Sequence, residues 1–212
     1  MVDDYASWRL QIASLLAEAG EWQVIGEAAD GPEAVAMASA YRESVGNPLA
    51  LISPGGGWEN KLYPPESWGE VAQGLAAMQM APVVLWGPGE EALADAVVQA
   101  SGGTAKRAPE TSVLELAALA RQSRLFLAAD TGPLHIAGAM GAPLVAVFGP
   151  TDPARNGPWS AEDEVVRKVP ACAPCHKRSC DTHHDIMRKI LPAAVVEAAA
   201  RRIASSSDRN AA

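Results

Sequence analysis

A glycine-rich segment followed by a lysine is the first feature of this sequence that could bind a ligand. Residues 53–57 read Ser-Pro-Gly-Gly-Gly, and Lys61 follows shortly afterwards. Because glycine has no Cβ, its backbone amides can approach a ligand closely, and bare amides suit phosphate oxygens. The lysine could neutralise a diphosphate as a point charge. Taken alone, the same residues fit a flexible turn beside a solvated lysine, and that is the interpretation we prefer for an isolated motif of this kind.

The segment Asp130-Thr131-Gly132-Pro133-Leu134-His135 carries the sharpest signal. Asp130 or Thr131 can cap a helix that begins near Pro133, which would leave free N–H groups at the helix N-terminus. Such a terminus is a site for phosphate. His135, in the first turn, could donate a hydrogen bond to the same group. A plain helix cap beside a structural histidine is an equally good interpretation of these residues alone.

Two further turns have the same character. Glu90 follows Gly87-Pro88-Gly89, at the start of a predicted helix, where the helix dipole favours a carboxylate. The carboxylate could equally accept hydrogen bonds from ribose hydroxyl groups. The last turn of this kind is Gly149-Pro150-Thr151-Asp152.

Each of the four turns follows a short apolar segment that predicts a buried strand, at 49–52, 82–86, 125–128 and 144–148. Hydrophobic periodicity predicts helices at 66–79, 90–100, 113–122, 134–140 and 192–204, with Ser112 and Glu115 as a capping box. Upstream, the pattern predicts helices over 7–19 and 30–41 and a strand over 22–25. Alternating strands and helices indicate an α/β fold with a parallel sheet and helices on both faces. Ligands bind at the carboxyl ends of such strands, so we expect the four turns to line one pocket.

Composition narrows the class of protein. The 212 residues are 49% hydrophobic and 20% charged, which is an ordinary globular balance. The net charge, 17 − 25 = −8, gives no general attraction to nucleic acid or anionic lipid. No apolar run is long enough to span a bilayer, and the start of the chain lacks the features of a secretory signal. Three cysteines argue against a secreted disulfide scaffold, so we expect a cytoplasmic protein.

The cysteines raise the question of a metal. Cys172, Cys175 and Cys180, with His183 and His184 after them, could make a tetrahedral zinc site. One CxxC motif without a second pair is a weak signal. We therefore predict a structural loop that oxidation could affect, and no metal site.

Several segments together carry a family resemblance. ISPGGGWENKLYPPESWGEVAQGL, VVLWGPGEE and LFLAADTGPLHIAGAMGAPLVAVFGPTDPARNGPW resemble the C-terminal half of the family 9 glycosyltransferases, the bacterial lipopolysaccharide heptosyltransferases and their relatives. The segments CAPCHKRSC and HHDIMRKILPAAVV are similar to the end of that family's sequences. The resemblance covers residues 46–204 and implies the C-terminal half of a GT-B fold, which is a Rossmann-like domain that binds a nucleotide sugar.

The resemblance implies a donor site that takes an ADP-sugar, typically ADP-heptose, as substrate without a metal or other cofactor. By motif match, Lys61 would contact phosphate and sugar, Glu90 would hold the ribose, and Asp130 would contact the sugar. The diphosphate would be held by Thr131, Gly132 and His135, and the first loop would be formed by Ser53 and Gly55.

The family's N-terminal domain binds the acceptor and supplies its proposed catalytic aspartate. No segment of this sequence corresponds to that domain, so we name no catalytic residue; the chain would bind the donor and, given an acceptor domain, transfer the heptose or hexose as a glycosyltransferase. The acceptor would be a lipopolysaccharide-type or lipid-linked saccharide. A separate acceptor-binding chain and a peripheral position at the inner membrane are both compatible with this expectation, whereas nucleic acid is not an expected partner.

Residues 1–41 instead resemble the opening of a response-regulator receiver domain, in VDDYASWRLQIASLLAEAGEWQVIGEAADGPEAVAMA. In that domain, paired acids at the positions of Asp3 and Asp4 help to bind magnesium beside a phosphorylated aspartate. For Asp3 and Asp4 themselves we prefer the interpretation of a solvated, frayed chain terminus. The phosphorylated position would align near residues 52–54, where no aspartate stands, so we predict no phosphorylation. The predicted division is a receiver-like βαβα piece at 1–45, a nucleotide-sugar domain at 46–204 and a flexible tail at 205–212. The alternative function is a non-catalytic signalling or nucleotide-sensing module.

Overall fold

The computed structural model describes residues 31–46, 48–175, 177 and 185–208. The helix predicted over 7–19 and the strand predicted over 22–25 lie outside the described residues, as do Asp3 and Asp4, and these predictions stay untested.

In the described part of the chain, six parallel strands form one sheet. They are β1 (Leu49–Ser53), β2 (Ala81–Val84), β3 (Lys106–Arg107), β4 (Leu125–Ala129), β5 (Leu144–Phe148) and β6 (Glu164–Arg167). Their order across the sheet is β3-β2-β1-β4-β5-β6, and every neighbouring pair is parallel. This is the doubly wound order, in which the direction of winding reverses between β1 and β4 and leaves a crevice there.

Seven helices and two short 3-10 turns are described around the sheet. The helices are α1 (Gly31–Val45), α2 (Pro65–Ala77), α3 (Glu91–Ala100), α4 (Val113–Gln122), α5 (Gly132–Ala139), α6 (Pro153–Asn156) and α7 (Pro192–Asp208). The 3-10 turns are Glu59–Lys61 and Met187–Lys189. Helices α2, α3 and α7 cover one face of the sheet, and α1, α4 and α5 cover the other.

The strands are buried on both faces because successive side chains point to opposite sides. In β4, Leu125 and Leu127 pack under α2 and α7, whereas Phe126 packs under α4 and α5. The parallel sheet with helices on both faces is therefore confirmed, and the apolar runs that predicted the four central strands are explained by this double burial.

The sequence pattern did not predict the two edge strands, β3 and β6. Strand β3 consists of two exposed basic residues, Lys106 and Arg107, and β6 reads Glu-Val-Val-Arg with no fully buried position. Short, charged edge strands are a usual defence against pairing with other chains, and they leave no apolar run in the sequence.

The first described helix belongs to the same core as the rest of the sheet. Ala34 and Ala38 of α1 are buried with the residues of α4. Ser39 Oγ lies 3.3 Å from Gln122 Oε1, and Gln122 Nε2 donates to the carbonyl of Val35 at 3.4 Å. The part of segment 1–45 that the structure describes thus packs against the same core as the sheet, and the division at residue 45 stays a prediction.

The C-terminal helix is tied to the sheet by a buried ion pair. Arg202 of α7 has 3% of its side chain exposed, and its Nε donates to Asp163 Oδ1 at 2.8 Å. The same oxygen accepts the N–H of Leu144, the first residue of β5, at 3.0 Å. Helix α7 continues through Asp208, so residues 205–208 are helical where a tail was expected.

We expect Asp163→Ala to lower the free energy of unfolding by about 3 kcal/mol, because it leaves the Arg202 guanidinium buried without this partner. Urea denaturation measures the change. The matched control is Asp95→Ala, which breaks an exposed ion pair with Arg107 and should cost less than about 1 kcal/mol. Equal losses in the two variants would contradict a stabilising role for the buried pair.

Candidate functional site

The four predicted turns meet at the carboxyl edge of the sheet. Ser53 is the last residue of β1 and is buried, and Gly55 and Gly56 follow it into the crevice between β1 and β4. The turn that carries Glu90 follows β2, the turn that carries Thr131 follows β4, and a fourth turn follows β5.

The Glu90 carboxylate lies directly against Gly55. A Cβ built on Gly55 would overlap the carboxylate oxygens of Glu90, so any side chain at this position would displace them. The carboxylate also accepts the N–H of Gly87 at 3.0 Å. Glu90 stands at the N-cap of α3 but makes no capping hydrogen bond, so the glycine turn, and not the helix, sets its position.

The N-terminus of α5 opens into the same crevice. Thr131 is its N-cap residue, but the hydroxyl donates back to the carbonyl of Ala129 at 3.3 Å. The sequence offered Asp130 or Thr131 as the cap of this helix, and Thr131 stands at the cap position without making a side-chain capping bond. The Thr131 methyl carbon lies 2.9 Å from the point where Gly56 would carry a Cβ, so the loops after β1 and β4 are in direct contact.

Asp130, which follows β4, is the most constrained charge of the site. Lys61 Nζ lies 2.7 Å from Asp130 Oδ2, and the two side chains are only 13% and 5% exposed. Asn156 Nδ2 donates to the same oxygen at 3.2 Å. Lys61 follows β1 and Asn156 ends α6 after β5, so the carboxylate is held from both neighbouring strands.

Asp130 stays ionised at neutral pH. Burial raises the pKa of its carboxyl, but the hydrogen bond from Lys61, with smaller contributions from Thr151 and Asn156, outweighs burial and sets the pKa below the usual value of 3.8. A carboxylate of this kind accepts hydrogen bonds from a ligand and is poorly suited to giving up a proton as a general acid.

Lys61 is itself positioned by its loop. Its Nζ lies 4.3 Å from the centre of the Trp58 ring, over the aromatic face. Asn60, between them, is buried and donates to the carbonyl of Lys177 at 2.8 Å. Tyr63 donates to the carbonyl of Ile190 at 2.9 Å, so this loop is fastened to the C-terminal segment on both sides of Lys61.

His135 is much more exposed than Asp130. Its side chain is 45% exposed, and Nε2 lies 3.8 Å from Asp130 Oδ1. It faces the crevice from the first turn of α5, where a bound anion could meet it.

Cavities lie on either side of this group. One of about 420 Å³ lies beyond Glu90, with Trp86, Pro88 and Val113 among its lining residues. Another, of about 310 Å³, lies beyond Lys61 and is lined in part by Trp58, Asp152 and Asn156. The first is next to β2 and the second next to β5, so the two cavities flank the crevice between β1 and β4.

Sequence reasoning missed Trp58 and Asn156 as site residues. Both fall within the segments that carry the resemblance, but neither a lone tryptophan nor a lone asparagine predicts chemistry. Their roles depend on contacts with Lys61 and Asp130 that only the folded chain creates.

The predicted absence of a metal site is not tested. Cys172 is exposed and Cys175 is buried, and these two described cysteines are not joined in a disulfide. Cys180, His183 and His184 lie outside the described residues. Within the described ranges, no group of three or more histidine, cysteine or acidic side chains could hold a metal ion.

The comparison with protein families decides the classification. The model of glycosyltransferase family 9 (heptosyltransferase) matches residues 13–185. The chain belongs to glycosyltransferase family 9. The matched range begins at residue 13, so it includes most of residues 1–41, the segment that resembles a receiver domain.

Curated relatives agree with this assignment. Lipopolysaccharide heptosyltransferase 1 of Pseudomonas aeruginosa is 28% identical over 154 residues, which are 70% of this chain and 43% of the relative. Lipopolysaccharide heptosyltransferase 2 of Salmonella typhimurium is 27% identical over 218 residues, covering 92% of this chain and 62% of the relative. This family 9 chain therefore spans about half the length of the curated relatives it matches.

Solved structures show the same fold. The structure of E. coli ADP-heptose lps heptosyltransferase II matches with a TM-score of 0.69 and 20% identity, over 87% of this chain and 54% of that one. A family 9 glycosyl transferase from Veillonella parvula matches with a TM-score of 0.68 and 21% identity, over 82% and 52%. The sheet of this family 9 chain is thus the fold of one half of those molecules, as the resemblance implied.

No described helix combines the length and apolar character that crossing a bilayer requires.

The low pKa of Asp130 predicts a specific pH dependence of stability. A group whose pKa is lower in the folded state stabilises the fold above its unfolded pKa, and this contribution is lost as pH falls through the folded pKa. Asp130→Asn should therefore be less stable than the wild type at pH 7, by about 1 kcal/mol or more, and the difference should shrink towards about pH 3.

Urea denaturation at the two pH values measures this. Asp95→Asn, which alters an exposed pair with Arg107, is the matched control and should follow the wild-type pH dependence. A difference between Asp130→Asn and wild type that does not change with pH would contradict an ionised, hydrogen-bonded Asp130.

Proposed function

We propose that this family 9 chain binds an ADP-sugar of the heptose type and presents it for transfer to a lipopolysaccharide-type saccharide acceptor. The observation that carries the proposal is the convergence of three loops: Glu90 on Gly55, Thr131 on Gly56, and Lys61 on Asp130. Each contact joins residues from different strands at the crevice where doubly wound folds bind nucleotides.

The order of the strands assigns an order to the parts of the donor. The base would enter the cavity beside Trp86, next to β2, and the ribose hydroxyls would meet Glu90. The diphosphate would lie on the bare amides near Gly55 and on the N-terminus of α5, within reach of Lys61. The sugar would then meet Asp130, next to the second cavity.

Ser53, Gly132 and His135 complete the proposed donor site. Ser53 ends β1 directly below the glycine loop, and Gly132 begins α5, where its N–H points out of the helix end. His135 could donate to the diphosphate from the first turn of the same helix.

The chemistry these residues support is stabilisation of the leaving group. Negative charge develops on the diphosphate as the bond to the sugar breaks, and fixed N–H groups, the α5 dipole and the Lys61 ammonium would all stabilise it. Asp130, as a carboxylate, would orient a sugar hydroxyl. The acceptor hydroxyl must lose a proton, and we assign that base to the acceptor-binding partner, either a further domain or a separate chain.

Compartment and acceptor follow from the same proposal. The relatives are named for lipopolysaccharide and lipooligosaccharide, so the acceptor would be a saccharide of that type, lipid-linked at the periphery of the inner membrane. The three cysteines, an odd number and too few for a disulfide scaffold, support a reducing cytoplasm.

Calorimetric titration with ADP tests donor binding, and a titration with UDP, which carries a different base, is the comparison. We expect the folded chain to bind ADP, and Lys61→Ala to weaken it by about tenfold or more, the effect of losing one hydrogen bond to a charged group. Lys189→Ala is the matched control, since it removes a lysine from an exposed pair with Asp185. A folded chain that binds no ADP at millimolar concentration would overturn the proposal.

The two glycines of the first loop provide a second prediction. Gly55→Ala places a methyl group against the Glu90 carboxylate and should lower ADP affinity by about tenfold, with little change in stability because Glu90 can swing away. At Gly57 a Cβ meets no atom within 4 Å, so Gly57→Ala should have a much smaller effect. Calorimetry and thermal unfolding of both variants check this, and equal ADP affinities would count against a role for Glu90.

A further inference from the structure

We propose that Asn156 is a positioning residue for the sugar end of the site: its amide fixes the Asp130 carboxylate in the orientation that accepts a hydroxyl of the donor sugar. The inference rests on the proposed function and adds a residue for which the family motif implied no role.

Asn156 and Lys61 hold the same carboxylate oxygen from two sides. Nδ2 of Asn156 donates to Asp130 Oδ2 at 3.2 Å, and Nζ of Lys61 lies 2.7 Å from it. Because β4 lies between β1 and β5, the donors arrive from opposite neighbours of the strand that carries Asp130. Two donors on one oxygen fix the rotation of the carboxylate, which one donor alone would not do.

The loop after β5 is built to place Asn156. Asp152 caps α6 by accepting the N–H of Ala154 at 3.2 Å, and the N–H of Asn156 donates to the Asp152 carbonyl at 3.0 Å. Arg167, in β6, donates to the Thr151 carbonyl at 2.9 Å and lies 3.6 Å from Asp152 Oδ1. The edge strand β6 thus braces the cap of the helix whose last residue is Asn156.

The turn that follows α6 depends on a glycine. The N–H of Gly157 donates to the Pro153 carbonyl at 2.7 Å, and a Cβ at this position would overlap that same carbonyl oxygen. The close approach keeps the end of the helix compact and Asn156 near β4.

An amide suits this position better than a second cation would. Asn156 donates a hydrogen bond without adding charge, so Asp130 keeps its negative charge for a sugar hydroxyl. The cavity of about 310 Å³ lies on this side of Asp130, and Asn156 and Lys61 are both among its lining residues. The sugar therefore lies where the orientation of Asp130 matters, whereas the base and ribose lie beyond Glu90, on the other side of the crevice.

The test compares the affinities for ADP and ADP-heptose in the full chain. Asn156→Ala should lower the affinity for ADP-heptose by about tenfold, which is the effect of losing a hydrogen bond to a charged group. The affinity for ADP should stay within about twofold of the wild-type value. Asn156→Asp keeps the size of the side chain but turns the donor into a carboxylate that faces Asp130. It should therefore bind ADP-heptose more weakly than Asn156→Ala does.

Gln73→Ala removes a side-chain amide from the exposed face of α2 and is the matched control; it should bind both ligands as the wild type does. Thermal unfolding of each variant checks the fold. Equal losses of ADP and ADP-heptose, or an Asn156→Asp variant that binds ADP-heptose like the wild type, would overturn the proposal, because a residue that only fills space would tolerate aspartate.

A titration of Asp130 without ligand separates this inference from the proposed function. The ¹³C signal of its carboxyl group should report a higher pKa in Asn156→Ala than in the wild type. An unchanged pKa would refute the contact between Asn156 and Asp130. If the wild-type chain bound neither ADP nor ADP-heptose, the donor site itself would be refuted, and the assignment of Asn156 to a sugar would fall with it even where the pKa shift was found.

Discussion

The reversal of winding between β1 and β4 is the constraint on which the whole site depends. It places two loops side by side at one edge of the sheet, with no helix crossing between them. Gly56 can then touch Thr131, and Lys61 can reach Asp130, although long stretches of chain separate the members of each pair. A sheet wound in one direction throughout would separate these loops by helices.

Charge is arranged locally in a way that the overall composition conceals. The chain carries a net charge of −8, yet the crevice contains a lysine, the N-terminus of α5 and unsubstituted glycine amides, which in the proposed site would face the diphosphate. The two acids in the crevice do not oppose this arrangement. Glu90 is directed against Gly55 and the Asp130 carboxylate is paired with Lys61, so in the proposed site each would accept hydroxyl groups of the donor beside its diphosphate.

Contacts with the C-terminal segments hold the loops of the site in place. Tyr63 and Asn60 fasten the lysine loop to residues near Ile190 and Lys177, and Arg202 anchors α7 under β5 and β6. Gly149, at the end of β5, has no room for a Cβ because Met187 packs against it. The loops can therefore be glycine-rich and still hold defined positions, since their neighbours are buried and hydrogen bonded.

The amino-acid sequence by itself determined the four central strands, most of the helices, the capping box of α4 and the turns that carry Gly55, Glu90 and Thr131. Hydrophobic periodicity and capping are local properties, and Ser112 and Glu115 do form both bonds of the predicted box. Only the tertiary structure decided that β3 and β6 complete the sheet and that Asn156 joins Lys61 on Asp130. These outcomes depend on which strands become neighbours, and the free energy that decides strand order comes from contacts between distant residues, which no local pattern records.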